Sequence, residues 1–243
     1  MQIMRKTIRR IIFIIAVLTL IFSSYKVIDY YLQEKESRDV VSSLVSEPEN
    51  SSDGLLHVDI NAVIATYPDV VCWLYQPGTN INYPVVQSAD NEYYLRRLIN
   101  GEHNMNGTLF MDYRNAADFS DYVTMIYGHN MKNGEMFSTF PNYAQQAYYD
   151  AHPEMHLYTP GGNYNIRLIS GFLTDDTDEI YSFAEDSLGA EQIYQTALAK
   201  SAFKSNSGAY NGERLVILST CYYEKHNSRF VLVGILEDLP EIP

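Results

Sequence analysis

From residue 70 onward the chain is a succession of short apolar runs broken by turn residues. VVCWLY (70–75) and INYPVVQ (81–87) flank Gln76-Pro77-Gly78-Thr79, where Pro followed by Gly is what a type II turn demands. TLFMDY (108–113), YVTMIYGH (122–129), EMHLYT (154–159), YNIRLISGFL (164–173), RLVILSTC (214–221) and RFVLVGIL (229–236) continue the series, and each is read as a strand. Pro160-Gly161-Gly162 supplies a second tight turn. Three stretches carry helical spacing instead. Val58–Thr66 has apolar residues at 60, 63 and 64 with Asp59 before them, Glu135–Tyr149 spaces its apolar residues for one face, and Ala190–Phe203 places Ile193, Ala197 and Leu198 together. Helices do not alternate with strands, so the pattern predicts a mostly β fold. Its form is a closed barrel of about eight strands with N-terminal helices and an inserted helix near 190–203, rather than a parallel doubly wound sheet. The chain contains no internal repeat and no low-complexity tract.

The first thirty residues follow another rule. Ile11–Tyr25 (IIFIIAVLTLIFSSY) is fifteen residues without a charge, preceded by Arg5, Lys6, Arg9 and Arg10. A helix that long covers roughly 22 Å of a ~30 Å hydrocarbon layer. With Lys26 snorkelling, Val27 and Ile28 extend it, and Tyr30 and Tyr31 fall at the interface. A cleaved signal peptide is the alternative, but Ile21 and Phe22 ahead of Ser23-Ser24 make a poor cleavage pattern. The expected order is a cytoplasmic basic tip (1–10), a single-pass transmembrane signal-anchor (11–28), a stalk or linker with a helix (29–57), and a folded extracellular domain (58–243). Pro48 and the polar cluster at 50–54 break the stalk from the domain.

Charge sharpens this picture. The first 26 residues hold five basic side chains and no acid; removing those five from the 17 Lys+Arg leaves 12 against 30 Asp+Glu, so residues 27–243 carry −18. Positive charge before an apolar stretch orients the N-terminus to the cytoplasm. An overall −13 argues against nucleic-acid binding, which rests on neutralising phosphates. At 46% hydrophobic and 19% charged residues, wholesale disorder is excluded. Two cysteines in 243 residues exclude a disulfide-stapled miniprotein and a four-Cys metal site.

The two cysteines sit in different text. Cys72 lies inside an apolar strand, where a thiol is a small hydrophobic filler with a raised pKa. Cys221 ends LVILSTC and is followed at once by the polar stretch YYEKHNSR, so it is held by a buried strand yet reachable. That is the placement a nucleophile needs, and a structural role or a Cys72–Cys221 disulfide are the competing readings. A thiol becomes nucleophilic beside a base or cation. His57, His103, His152 and His156 sit in polar or loop text; His226 is five residues past Cys221; His129 ends YVTMIYGH just as Cys221 ends its strand, with Gly128 leaving room for close approach. Arg229 opens RFVLVGIL, and the eight-residue separation from Cys221 suits a hairpin that brings the two together. A guanidinium there stabilises thiolate and can donate to a developing oxyanion. The acidic run Thr174–Glu179 lacks the Gly and distal Glu of an EF-hand loop and reads as a hydrated loop, so no metal or other cofactor is expected.

Ile217-Leu218-Ser219-Thr220-Cys221, Tyr127-Gly128-His129-Asn130 and Ser228-Arg229-Phe230-Val231 occur in this order, together with PDVVCWLYQPGTNINYPVVQ (68–87) and GTLFMDYRN (107–115). In these segments the chain resembles the sortases, class B, whose active-site strand reads TLxTC; the first Thr is Ile217 here. The resemblance implies a sortase-type barrel and a membrane-anchored cysteine transpeptidase without cofactor on the outer face of a Gram-positive-type cell. It implies Cys221 as nucleophile, His129 as acid and base, and Arg229 as holder of the substrate carbonyl. Ser219, Thr220, Glu224 and Tyr181 would line the substrate groove. Partners would be surface or pilin proteins bearing an x-P-x-T-G/N sorting signal, with a peptidoglycan precursor or a pilin Lys as acceptor, serving surface-protein anchoring or pilus assembly. Two alternatives remain at this stage: a papain-like cysteine peptidase using Cys221 with His226 or His129, and a non-catalytic surface-binding β domain rich in Tyr.

Overall fold

The computed structural model describes residues 2–44, 56, 58–131, 133–222 and 227–239, with backbone alone at 2, 3, 221 and 222. Eight strands close into one barrel: β1 (Val70–Tyr75), β2 (Asn82–Val86), β3 (Leu109–Met111), β4 (Val123–Gly128), β5 (Glu154–Thr159), β6 (Gly162–Asp175), β7 (Leu215–Tyr222) and β8 (Ser228–Asp238). Their order around the barrel is β1-β2-β3-β4-β7-β8-β6-β5, and β1 completes the circle by pairing antiparallel with β5. Two pairings are parallel, β2 with β3 and β4 with β7. The second lays side by side two strands that are nearly ninety residues apart in the chain. Closure removes the sheet edges that a lone sheet of this length would expose.

The predicted turns appear where Pro and Gly place them. Gly78 adopts φ +74°, the left-handed value a type II turn requires at its third position, and the Thr79 amide donates to the Gln76 carbonyl at 3.3 Å. The barrel core is filled by Leu74, Val85, Leu109, Ile126, Leu157, Leu168, Leu218 and Leu232, all fully buried. Cys72 belongs to that core as a free thiol at 0% exposure, and burial pushes its pKa well up. This removes the Cys72–Cys221 disulfide from consideration. A second cluster joins the outer face of β7 and β8 to α4 (Ser187–Lys200) through Ile217, Val231, Ile193 and Ala197.

Helical elements depart from the periodicity reading in two places. Over 135–149 the chain forms a 3-10 turn, Phe140–Ala144, and a short helix α3 (Gln146–Ala151), leaving 135–139 non-helical. Phe137, Phe140 and Tyr143 recur every three residues, the 3-10 period, and all three are buried; Pro141 sits in the first turn, where its missing N–H is tolerated. The inserted helix begins earlier than Ala190: the Asp186 carboxylate accepts the Gly189 amide as N-cap, and the helix ends at Lys200, freeing Phe203 to turn into the core. The third predicted helix is α2 (Ile60–Thr66), capped by Asp59.

At the N-terminus α1 runs unbroken from Gln2 to Ser42. From Met4 it is long and apolar enough to cross a membrane, by length and composition. Its last three turns rest on the barrel wall, where Ser37, Val40 and Val41 face Tyr83, Pro84, Leu98, Ile99 and Met136.

Candidate active site

The strand register brings the candidate residues to one end of the barrel. In the antiparallel β7–β8 pair, Cys221 is the partner of Arg229. In the parallel β4–β7 pair, Tyr127 is level with Ser219 and Gly128 with Thr220, so continuing by one residue sets His129 level with Cys221. Three adjacent strand ends therefore carry His129, Cys221 and Arg229 side by side. Beside them opens a cleft of about 310 Å³ whose lining includes His129, Arg229, Tyr181, Ser219 and Thr220.

Gly128 is what lets His129 reach this position. A β-carbon there would lie 2.4 Å from Leu109 Cδ2 and 2.7 Å from Phe137 Cδ2, both in the packed core. The next residue is then fixed by its ring: His129 Nε2 lies 2.9 Å from the Leu95 carbonyl oxygen. A carbonyl only accepts, so Nε2 carries the proton, leaving Nδ1 for proton exchange. Arg229 donates from Nη1 to its neighbour's carbonyl, that of Ser228, at 3.2 Å. Its Nη2 lies 3.8 Å from Asp176 Oδ2, and the side chain is 27% exposed. It is thus held over the cleft while keeping donors for a ligand.

The three described members of the expected groove are all present. The hydroxyls of Tyr181 and Ser219 lie 2.8 Å apart across the cleft. Thr220 lines the cleft but is 1% exposed, and its buried Oγ1 has no hydrogen-bond partner among the described residues. Tyr181 stands on a 3-10 turn, Glu179–Tyr181, capped by the Asp178 carboxylate. Asp178 also accepts from Thr174 Oγ1 and, at 2.7 Å, from Lys200 Nζ on α4, which ties the loop to the inserted helix. The acidic run 174–179 is therefore used internally: Asp175 accepts from Thr177, Asp176 faces Arg229, and Asp178 caps the turn. Glu224 and His226 lie outside the described residues, as does His57.

Several cleft residues escaped the sequence reading. Asn91 and Leu95 come from the long β2–β3 connection, which has no periodicity to read. Tyr127 and Phe110 belong to segments that carry the family resemblance, but nothing in the sequence assigned either of them to the cleft. Behind Tyr127 stands Asp112, 1% exposed, which receives Arg114 Nε at 2.9 Å, Asn91 Nδ2 at 3.0 Å and the Tyr127 hydroxyl at 3.0 Å. Burial by itself would raise the Asp112 carboxyl, but these donors outweigh it and hold the pKa at about 2. Burial and the adjacent Asp112 charge push the Tyr127 phenol up, so it stays a protonated donor. The D-Y-R spacing of Asp112–Arg114 was the available signal.

Taken together, a strand-end thiol position, an imidazole whose Nδ1 has no hydrogen-bond partner among the described residues and a guanidinium around one cleft can perform acyl transfer through a covalent intermediate. No family model matches the chain. Among curated proteins it is 36% identical over 172 residues to sortase B of Listeria monocytogenes, covering 69% of this chain and 70% of that protein. It is 28% identical over 230 residues to sortase B of Staphylococcus aureus, covering 92% and 94%. Among solved structures, Clostridium perfringens sortase B matches with a TM-score of 0.69 and 29% identity over 74% of this chain and 100% of that one.

Proposed function

Because the chain belongs to the class B sortases, a family of cysteine transpeptidases, we propose that Cys221 is its nucleophile, His129 its general acid and base, and Arg229 its carbonyl-binding residue. Membership in that family sets aside the papain-like peptidase and the non-catalytic surface domain. The observation carrying the residue assignment is the register that makes Cys221 the partner of Arg229 and sets His129 level with it.

The substrate is a protein with a C-terminal sorting signal of the form x-P-x-T-G/N, lying in the cleft against Tyr181, Ser219 and Thr220, with Glu224 as a further substrate-binding residue suggested by the sequence alone. As the Cys221 sulfur attacks the Thr carbonyl carbon, its thiol proton passes to His129 Nδ1; as the C–N bond breaks, His129 gives that proton to the leaving amine, and a thioester remains. An incoming amine, from a peptidoglycan precursor or a pilin lysine, loses a proton to His129 and attacks the thioester. The C–S bond breaks, the new amide leaves, and His129 returns the proton to the sulfur, restoring the thiol. Arg229 donates to the carbonyl oxygen while it carries negative charge in both steps. The bond energy of the cleaved amide is held as thioester, so transfer needs no external energy source.

The enzyme is held in the membrane by residues 11–28, with 1–10 in the cytoplasm, 29–57 as stalk and the catalytic domain 58–243 outside. The apolar helix and the four basic residues before it support this orientation. The test is incubation of an x-P-x-T-G/N peptide and an amine with the full chain, with product masses measured. The expected result is an amide joined at Thr, absent in Cys221→Ala and in His129→Ala. Unchanged amide formation in either variant would remove that residue from the mechanism.

A further inference from the structure

The barrel wall against which α1 rests is the wall that holds His129. Three consecutive carbonyls of the Tyr93–Arg96 turn are each occupied. Tyr94 O accepts the Thr108 amide at 3.1 Å, Leu95 O faces His129 Nε2 at 2.9 Å, and Arg96 O accepts the Asn104 amide at 3.0 Å. Segment 104–108 is pressed onto that turn. Gly107, at φ +61°, has no side chain, and a β-carbon there would stand 2.6 Å from both Tyr94 O and Leu95 O.

The same segment grips α1. Asn104 is 0% exposed, and its side-chain amide donates to the Gln33 carbonyl at 2.9 Å and to Glu36 Oε2 at 3.0 Å. The next amide, of Met105, donates to Gln33 Oε1 at 2.9 Å. A second link reaches the loop that follows His129. The Phe137 amide donates to the His129 carbonyl at 3.1 Å, Met136 lies in the groove under α1, and Glu135 Oε1 is 3.4 Å from Arg38 Nη1. The ring of His129 and the loop that follows it are therefore both linked to one helix.

We propose that Asn104 is a positioning residue that ties the membrane-proximal turns of α1 to the turn holding His129, so that seating α1 on the barrel sets the imidazole in place. The inference rests on the assignment of His129 above. Asn104 spends both amide hydrogens on α1. If α1 shifts off these contacts while Asn104 stays covered, the buried amide loses its acceptors, and the cost of that unmet donor falls on the segment that braces Leu95. Gln33 is only five residues beyond Ile28, so the contact lies within about 8 Å of the end of the proposed span along the helix. Anchor and catalytic end thus form one mechanical unit. The imidazole contacts substrate; Asn104 acts through Arg96 and Leu95.

The test uses the full chain in lipid nanodiscs, with kcat and KM measured for transfer of an x-P-x-T-G/N peptide to an amine. Asn104→Ala and Glu36→Ala should each lower kcat about tenfold with KM little changed, the signature of a misplaced catalytic group rather than lost binding. Glu36→Gln, which keeps an acceptor oxygen, should restore kcat, and exposed Lys35→Ala should leave it unchanged. Glu36 lies on α1 outside the barrel core, so this pair of variants reads the contact even if Asn104→Ala fails to fold. Wild-type kcat in Glu36→Ala, or equal losses in Glu36→Ala and Glu36→Gln, would overturn the proposal. Wild-type turnover in His129→Ala would instead overturn the His129 assignment on which it rests, and the two failures are told apart by that variant.

Discussion

Replacing Gly128 by Ala adds one methyl at the point where β4 hands His129 to the cleft. That methyl would stand 2.4 Å from Leu109 Cδ2 and 2.7 and 2.9 Å from two atoms of the Phe137 ring. Carbon atoms rest about 3.5–4.0 Å apart, so something must move by about 1 Å. Neither neighbour yields easily: both are fully buried, and Phe137 is stacked on Phe140 with centroids 4.2 Å apart. Overpacking of this kind costs about 1–3 kcal/mol of stability. If the backbone gives way instead, His129 is displaced by a comparable distance, and a 1 Å misplacement costs about a hundredfold in turnover. Urea unfolding gives the first quantity and peptide-transfer kinetics the second. Gly128→Ala combined with Leu109→Ala should be less destabilised than the two changes summed, because deleting the Leu109 side chain opens the space the methyl needs. Gly128→Ala with wild-type stability and wild-type kcat would refute the reasoning, as would strict additivity in the double variant.

Other outcomes follow from the same geometry. A mild alkylating reagent should label Cys221 in preference to Cys72, whose thiol burial keeps protonated and out of reach, and Cys72→Ala should keep most turnover; labelling of Cys72 at a comparable rate would contradict its place in the core. Arg229→Lys retains the charge but loses the planar fork, and should lower kcat by about a hundredfold, the scale of one lost oxyanion donor; full activity would free Arg229 from the site. The Asp112 carboxyl is depressed in the folded state, so its stabilisation is complete above the ordinary carboxylate pKa and is lost as pH falls from about 4 toward 2. Asp112→Asn should therefore be less stable than the parent by at most about 2 kcal/mol at neutral pH, with the gap closing in acid; a pH-independent gap in thermal unfolding would exclude the charged network.

Much of the molecule could be read before any contact was known, because alternating or continuous apolar runs between Pro and Gly depend only on local chain geometry. VVCWLY and EMHLYT emerged with both boundaries intact, and the closed eight-stranded barrel followed from the absence of alternating helices. Cys221, His129 and Arg229 stood out because each marks the passage from an apolar run to polar text. The region 135–149 was misread because a three-residue repeat of large apolar side chains resembles a helical face until the core shows where each must point. Sequence could offer nothing on Leu95, Asp176 or Asn104: they lie in irregular connections, and their roles rest on partners between 34 and 71 residues away in the chain. The sequence by itself thus determined the strands and the candidate reactive side chains. Only the tertiary structure decided that β4 runs parallel beside β7 and that Asn104 hydrogen-bonds both to α1 and to the turn that meets the His129 ring. Such pairings arise from closing the barrel, and no local period records them.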